Sequence, residues 1–194
     1  SSSETFLLSK IHSLEQRGFN VLLFGNGEMS RYHEKIIYHP KLGGNFIIRL
    51  IQVILVLLKL LIKQPFKSFK YIKLERSDGV LLIDSIKNLF LNSHIISTNL
   101  DWVHFCFCST VIRRENVAKA IDAKMSLSLR GYDISIYPLK NRGCYTKVWK
   151  KLYKVHSISN DLLSTAKKYG LTSDIPAEII HPAINVNYFS SEKY

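Results

Sequence analysis

The apolar positions of the chain follow two periods, one typical of helices and one typical of strands. Near the amino terminus Phe6, Leu7, Ile11 and Leu14 recur at helical spacing, and Gly18 is placed to end that helix. Further along, short apolar runs alternate with stretches of helical spacing. The predicted strands are residues 19–25, 101–107, 124–129, 154–159 and 177–184, and the later predicted helices are residues 46–63, 66–76, 80–93, 109–123, 144–153 and 160–171.

This alternation of strands and helices predicts an α/β fold with a Rossmann-like, mostly parallel sheet and helices on both faces. In such sheets ligands bind beyond the carboxyl ends of the strands. The candidate site therefore consists of the loops that follow the strands, which are residues 25–28, the end of 102–105, residues 130–133, residues 159–160 and the turn near Asn185.

The stretch from residue 46 to residue 63 is the most apolar part of the chain. Its longest uninterrupted apolar run, residues 53–58, is too short to span a bilayer. Four polar residues form one narrow stripe of the helix: Arg49, Gln52, Lys59 and Lys63. We expect most of the helix surface to pack inside the protein and part of it to lie in a membrane interface. Pro65 ends this helix, and a second, basic helix follows.

The charge of the chain is strongly positive. Lys and Arg number 27 against 15 Asp and Glu, a net charge of +12. Seven cations and one anion lie between Arg49 and Arg76, so these 28 residues carry +6, half of the total. Such a surface favours nucleic acid, an anionic membrane or phosphorylated ligands. Because the cations accompany an apolar helix rather than stacking aromatics, we expect an anionic membrane surface as partner and no nucleic acid.

The sequence offers little sign of a bound cofactor or metal. Its three cysteines have no zinc-type spacing, which predicts buried free thiols in a reducing compartment. It has no phosphate-binding G-x-G-x-x-G motif. We therefore expect no cofactor and no metal. A chain of 194 residues with 46% hydrophobic residues can bury a full core.

Five motifs, in order and spacing, resemble the amino-terminal half of the retaining family 4 glycosyltransferases. The opening "SETFLLSKIHSLEQRGFNVLLF" resembles the family's loop, helix and strand, and "WVHFCF" resembles its His-containing strand. The stretch "SLSLRGYDIS" resembles a turn that reads HGYD in the family. Two later stretches, "VHSISNDLLSTAKKYGL" and "EIIHPAINVNYF", are similar to a strand, Ser turn and helix and to the exit from the domain. The resemblance spans residues 3–189 and is nearest to exopolysaccharide enzymes of the colanic-acid type.

The resemblance implies one half of a GT-B fold, in which two Rossmann-like domains face each other across a cleft. The chain would be a single acceptor-binding domain over residues 1–194. The family's donor domain grips the sugar nucleotide with a pair of glutamates eight positions apart, and this sequence contains no such pair. We therefore expect a fragment of a longer chain that lacks the first strand and the donor domain. The family's turn histidine is Arg130 here, and its acidic residue near the exit is Asn185.

The resemblance also assigns roles to individual residues. Arg130 and Asp133 would be catalytic, since a fixed cation suits a phosphate and the carboxylate can hold Arg130 or a substrate hydroxyl. Gly131 between them would allow a sharp turn. The alternative is a surface turn with a local ion pair. The residues that would bind the acceptor are Ser3, Glu4, Thr5, His104 and Tyr132.

Several of these residues also have a structural interpretation. Ser3, Glu4 and Thr5 can form a helix cap, and His104 can equally be a half-buried core histidine. Ser159 and Asn160 are better explained as a helix cap than as a site.

The predicted function is transfer of a sugar from a nucleotide-sugar donor to a glycan or lipid-linked acceptor in surface polysaccharide biosynthesis. The resemblance implies that this reaction needs no metal. The predicted location is the cytoplasm, peripheral to the inner face of the membrane. The alternative is a basic membrane-peripheral binding module without catalysis. Liposome and oligonucleotide binding would distinguish that module from a nucleic-acid binder.

Overall fold

The structure is a computed structural model that describes residues 2–25 and 36–181, with side chains from residue 9 onward. The chain divides into two compact units, residues 1–37 with 181–194 and residues 38–180. The two units are described in turn. That residues 1–194 act as one acceptor-binding domain stays a prediction.

The first unit contains a helix and most of a small sheet. Helix α1 (Ser2–Gln16) ends just before Gly18, whose φ of 86° is the left-handed conformation that glycine adopts most readily. Strand β1 (Leu23–Gly25) is shorter than predicted and pairs with β2 (Ile36–Tyr38), a strand that the pattern did not predict. In the described residues β1 belongs to this two-stranded sheet, so the expectation that it joins the parallel sheet is wrong.

The second unit opens with three helices in succession. Helix α2 (Phe46–Lys63) starts at Asn45, whose side chain accepts a hydrogen bond from the Ile48 N–H at 3.0 Å. Helix α2 ends before Pro65, as the sequence predicts, and Pro65 is the first residue of α3 (Pro65–Ser77), one position before the predicted start. Proline suits a first helical turn and breaks a helix interior. Helix α4 (Leu82–Ile96) follows and packs against both α2 and α3.

The remaining strands form one four-stranded parallel sheet in the order β3-β4-β5-β6. Its members are β3 (Trp102–Phe105), β4 (Lys124–Leu129), β5 (Lys154–Ser157) and β6 (Ala177–Ile179). The predicted fold class, an α/β fold with a Rossmann-like, mostly parallel sheet, is confirmed.

Short helices connect the strands: α5 (Val117–Ala120), α6 (Tyr137–Lys140), α7 (Thr146–Trp149) and α8 (Asn160–Lys168). The predicted continuous helix over residues 109–123 is wrong. A 3₁₀ turn (Cys108–Val111) and α5 replace it, because Arg113 between them has a φ of 66°, which an α-helix cannot contain. The helix predicted over residues 144–153 is likewise reduced to α7.

The two faces of the parallel sheet differ in polarity because side chains alternate along each strand. The residues of the apolar face are buried: Val103, Phe105, Met125, Leu127, Leu129 and Val155. The opposite face, called the polar face below, carries Trp102, His104, Lys124, Ser126, Ser128, Lys154, His156 and Glu178. Parallel pairing places His104 beside Ser126 and Ser128 beside His156.

Candidate functional site

The predicted catalytic arginine lies at the carboxyl edge of the sheet, directly after β4. The Arg130 Nε donates a hydrogen bond to the Cys106 carbonyl at 3.1 Å, in the loop that follows β3. Its guanidinium carbon lies 5.4 Å from the centroid of the Phe107 ring, a cation–π contact. Neighbouring parallel strands end at the same edge, so two loops far apart in sequence hold one half-buried cation.

The predicted catalytic carboxylate has a different environment. Asp133 is 3% exposed, and its two carboxylate oxygens accept hydrogen bonds from the Cys108 N–H at 3.1 Å and from the Ser109 hydroxyl at 2.6 Å. Its carbonyl accepts a third bond from the Tyr145 hydroxyl at 2.8 Å. In the part of the chain that the structure describes, no ion pair joins Asp133 to Arg130. Asp133 therefore ties the loop after β3 to the loop after β4.

The turn between these two residues is helical. Gly131 has a φ of −51°, and a side chain at this position would meet nothing within 4 Å. The sharp glycine turn that the sequence predicts is therefore not formed. The chain instead enters a π-helical turn (Tyr132–Ile136) in which the Tyr132 side chain is 62% exposed, while Ile134 is buried.

Burial keeps the groups around Asp133 in their protonated forms. Desolvation, helped by the nearby Asp133 carboxylate, raises the pKa of the Cys108 thiol. Desolvation also raises the pKa of the Tyr145 phenol, which remains a hydrogen-bond donor to the Asp133 carbonyl. No disulfide joins Cys106, Cys108 and Cys144; Cys108 is buried, and the other two are half-buried. A thiolate nucleophile is accordingly disfavoured at Cys108.

His104 belongs to a hydrogen-bond chain that crosses the polar face. The Trp102 Nε1 lies 2.5 Å from the Ser126 hydroxyl, which lies 2.7 Å from the His104 Nδ1. The His104 Nε2 lies 3.0 Å from the Ser128 hydroxyl. That hydroxyl lies 2.9 Å from the Nδ1 of His156, whose Nε2 lies 3.1 Å from the Ile180 carbonyl.

If both imidazoles are neutral, the two ends of the chain set the direction of every hydrogen bond in it. An indole N–H can only donate and a carbonyl can only accept. His156 must therefore donate from Nε2, and its neutral form accepts at Nδ1 from Ser128. Ser128 then accepts from the His104 Nε2, and Ser126 donates to the His104 Nδ1. In that case both imidazoles are Nε2–H tautomers in one unidirectional chain.

Sequence reasoning found His104 but missed Ser126, Ser128 and His156. The available signal was the alternation of serine and leucine in residues 126–129, which places both hydroxyls on one face. The pairing register of β4 with β3 and β5, which the sequence does not give, places a histidine of each neighbouring strand beside these serines.

Other predicted site residues occupy less informative positions. Ser159 is the N-cap of α8, since its hydroxyl accepts from the Leu162 N–H at 3.2 Å, and the cap interpretation is confirmed. Ser3, Glu4 and Thr5 lie in α1, but their side chains lie outside the described residues. The loop residues 26–28 and Asn185 also lie outside them. Among the described residues no group of three or more His, Cys, Asp or Glu side chains could hold a metal ion.

The surface of α2 is largely apolar and exposed, and Phe66 and Phe69 of α3 are exposed beside it in sequence. The single buried residue of α2 is Leu60, so the expectation that most of this helix packs inside the protein is wrong. The exposed large hydrophobic residues of the two helices form what is called here the apolar helix surface. They are Phe46, Ile47, Ile48, Leu50, Ile51, Ile54, Leu55, Leu58, Leu61, Ile62, Phe66 and Phe69. Within the described ranges no helix is long and apolar enough to cross a membrane.

The chain was compared with protein-family models, with curated proteins and with solved structures, and no match was found in any of the three comparisons.

Proposed function

We propose that this chain is the acceptor-side domain of a retaining glycosyltransferase. The enzyme transfers a sugar from a nucleotide sugar to a glycan or lipid-linked acceptor during synthesis of a surface polysaccharide. Two observations support the proposal: the order of five motifs in the sequence, and a Rossmann-like parallel sheet whose carboxyl edge carries polar residues. In this proposal Arg130 is the catalytic residue of that edge and Tyr132 contacts the acceptor. The catalytic role predicted for Asp133 is not retained, because its buried carboxylate is bonded to Cys108 and Ser109.

The single observation that carries the proposal is the anchored position of Arg130. In sugar transfer the bond between the anomeric carbon and the diphosphate breaks while the acceptor oxygen bonds to that carbon, and the leaving diphosphate gains negative charge. A guanidinium that the Cys106 carbonyl and the Phe107 ring already hold need not reorganise to stabilise that charge. It also remains charged at any working pH.

The experiment is sugar transfer by a protein that contains residues 1–194 together with a donor domain. Arg130→Ala should lower kcat by roughly 10²-fold or more, the scale on which loss of one such electrostatic donor acts. Arg130→Lys, which keeps the charge but not the planar fork, should retain an intermediate rate. The matched control is Lys140→Ala, an exposed cation at the end of α6, and it should be neutral.

The stability of the variants separates a catalytic role from a structural one. Loss of the bond to the Cys106 carbonyl should cost about 1 kcal/mol, so Arg130→Ala remains folded at the assay temperature. A normal rate in folded Arg130→Ala protein would refute the assigned role. A loss of rate that follows the loss of melting temperature across all three variants would show that Arg130 only supports the loop.

A second proposal concerns location and is favoured by the apolar helix surface. We infer that α2 and α3 lie in the interface of an anionic membrane, on its cytoplasmic side. Ile62 is 80% exposed and Phe66 is 89% exposed, at the junction of the two helices. The cations Lys59 and Lys63 are exposed on the same turns, and within the described residues neither makes an ion pair or side-chain hydrogen bond.

Not every cation of this basic segment is equally available to lipid. Lys67 donates to the Thr98 carbonyl at 2.8 Å and to the Asn99 side chain at 2.6 Å. Lys70 forms an ion pair with Asp122. Lys59 and Lys63 should therefore contribute more to membrane binding than these two.

Co-sedimentation with vesicles of phosphatidylglycerol and phosphatidylcholine tests the membrane proposal. Each cation near an anionic surface contributes about 1 kcal/mol, so the Lys59→Gln, Lys63→Gln double variant should bind roughly 30-fold more weakly at low salt. Lys167→Gln, Lys168→Gln at the end of α8 is the matched control. The apolar contribution is tested with the Ile62→Ser, Phe66→Ser double variant, which should also bind vesicles more weakly. Its control is Leu139→Ser, which removes an apolar side chain that is 66% exposed on α6.

The outcomes separate the membrane proposal from nucleic-acid binding and from catalysis. Vesicle binding that both the charge and the apolar variants weaken supports it. Equal binding by the test and control pairs, or tighter binding to an oligonucleotide than to vesicles, would refute it. Vesicle binding by a protein that transfers no sugar even when a donor domain is present would leave the non-catalytic membrane module as the function.

A further inference from the structure

We propose that a small polar pocket in the helical part of the second unit binds an organic cation through its N–H groups, either a primary ammonium or a guanidinium. The pocket, of about 130 Å³, lies between α3, α4, the segment before α5 and α7. Six of the polar residues that line it are Glu75, Asp78, Arg113, Glu115, Asn116 and Lys147. It contains none of the residues assigned to sugar transfer, so it is independent of that proposal.

Glu75 gives the pocket a buried negative charge. It is 1% exposed, and its carboxylate oxygens accept from the Asn88 Nδ2 at 2.8 Å and from the Asn116 Nδ2 at 2.9 Å. No cation forms an ion pair with it anywhere in residues 9–25 and 36–181. A buried carboxylate without a cationic partner is costly, and a bound cation would remove that cost.

Asn116 adds a buried acceptor that has no donor. It is 1% exposed, and its Nδ2 is shared between Glu75 and the Asp78 carboxylate, the latter at 2.7 Å. Carboxylates only accept, so the amide cannot be flipped without placing oxygen against oxygen. Its Oδ1 is consequently buried with no hydrogen-bond partner among the described residues. Buried acceptors are nearly always hydrogen-bonded, so this atom is a place for the donor of a bound molecule.

A second carboxylate of the pocket is also incompletely compensated. Burial raises the pKa of Glu115, and the nearby Glu75 charge contributes to the same shift. Asp78 differs, because the Lys151 Nζ lies 2.9 Å from it and already neutralises it. Within the described residues, the acceptors of the pocket that no cation neutralises are therefore Glu75 and Glu115. Together with the Asn116 Oδ1, they match a cation with several N–H donors.

The arrangement favours an organic cation over a metal ion. A metal would need its ligands to converge on one point, and the described part of the chain contains no such group of three. An ammonium or guanidinium can instead donate in several directions at once. Arg113 and Lys147 are exposed, and neither forms an ion pair with Glu75 or Glu115, so both should oppose the ligand by repulsion.

Titration of the isotope-labelled chain with methylammonium or methylguanidinium, followed by NMR of the Asn116 and Asn88 side-chain amides, tests the proposal. Ionic strength is held constant with sodium chloride, and tetramethylammonium, a cation without N–H donors, is the matched control ligand. We expect saturable binding of at least one of the two N–H cations and none of tetramethylammonium.

Removing a carboxylate and removing a lysine of the pocket should change Kd in opposite directions. Glu75→Gln and Glu115→Gln should each raise Kd by roughly tenfold or more, as expected for loss of a charged hydrogen-bond partner. Lys147→Gln should lower Kd by about twofold to threefold, since it removes an opposing charge. Asp84→Asn removes an α4 carboxylate that pairs with Lys87 outside the pocket, and it should leave Kd unchanged.

The binding experiment can still be carried out if one of the two carboxylate variants fails to fold. Glu115 is half-buried, so Glu115→Gln keeps the test available if the buried Glu75→Gln unfolds the protein. Absence of saturation by both N–H cations, equal binding of tetramethylammonium, or a reversal of the signs for Glu115→Gln and Lys147→Gln would each overturn the proposal. The last result would indicate an anionic ligand.

Discussion

His104 and His156 share one hydroxyl group. The Ser128 Oγ lies 3.0 Å from the His104 Nε2 and 2.9 Å from the His156 Nδ1. With both imidazoles neutral, it accepts from the first and donates to the second. Ser128 is 1% exposed, and the two histidines lie on opposite neighbouring strands. A single buried serine therefore joins β3, β4 and β5 across the polar face.

Ser128→Ala should lower the free energy of unfolding by about 1–3 kcal/mol, because it leaves a ring N–H and a ring nitrogen without their shared partner. Urea unfolding followed by circular dichroism measures the change. Ser164→Ala is the matched control, since its hydroxyl is exposed and bonds only to the Asp161 carbonyl of its own helix. Equal stability of the two variants would contradict the shared-hydroxyl interpretation.

Asp133→Ala should lower the free energy of unfolding by about 2–3 kcal/mol, since it leaves the buried Cys108 N–H without an acceptor. Asp133→Asn should cost less, because an amide can still accept from Cys108 and donate to the Ser109 hydroxyl. Thermal and urea unfolding measure both, with the exposed Asp174→Ala as control. If Asp133→Ala is as stable as the control, the carboxylate does not tie the two loops together.

Protonation of His94 on α4 should lower the free energy of unfolding as the pH falls. Burial, helped by the charges of Arg114 and His39, lowers the pKa of His94 from 6.5 to about 4. In the unfolded chain His94 is protonated below pH 6.5, whereas in the folded protein it becomes protonated only near pH 4. This contribution is complete above pH 6.5 and is lost as the pH falls towards 4. Since the ring is half-buried, we expect about 1–2 kcal/mol.

The His94 effect is measured by urea unfolding of the wild type and of His94→Asn across this pH range. The difference between the two proteins isolates His94 from the other acid-titrating groups. A difference that does not vary with pH would show that burial does not perturb this imidazole.

Residues 1–194 alone should transfer no sugar. The resembled enzymes grip the donor with two glutamates eight positions apart, and no such pair is present. A radiolabelled nucleotide-sugar assay, run beside a protein that also contains a donor domain, measures this. Turnover by residues 1–194 alone would contradict this expectation and the assumption that a separate donor domain binds the nucleotide sugar.

Sequence patterns were sufficient for most elements of the second unit because their signals are local. The apolar period and Pro65 predict the end of α2 and the start of α3, and the alternation in residues 124–129 predicts β4 with its observed bounds. The order of strands and helices also predicts that Arg130 follows β4 at the carboxyl edge. These features depend on residues only a few positions apart.

The tertiary structure decided which of these residues act together. Asp133 bonds to residues 24 and 25 positions away, and the Ser128 hydroxyl joins histidines 24 and 28 positions away. The sequence contains these side chains, but their distances depend on strand register and on how loops meet at one edge. The exposure of α2 is decided in the same way, because a helical period shows that a face is apolar but not whether another part of the protein covers it.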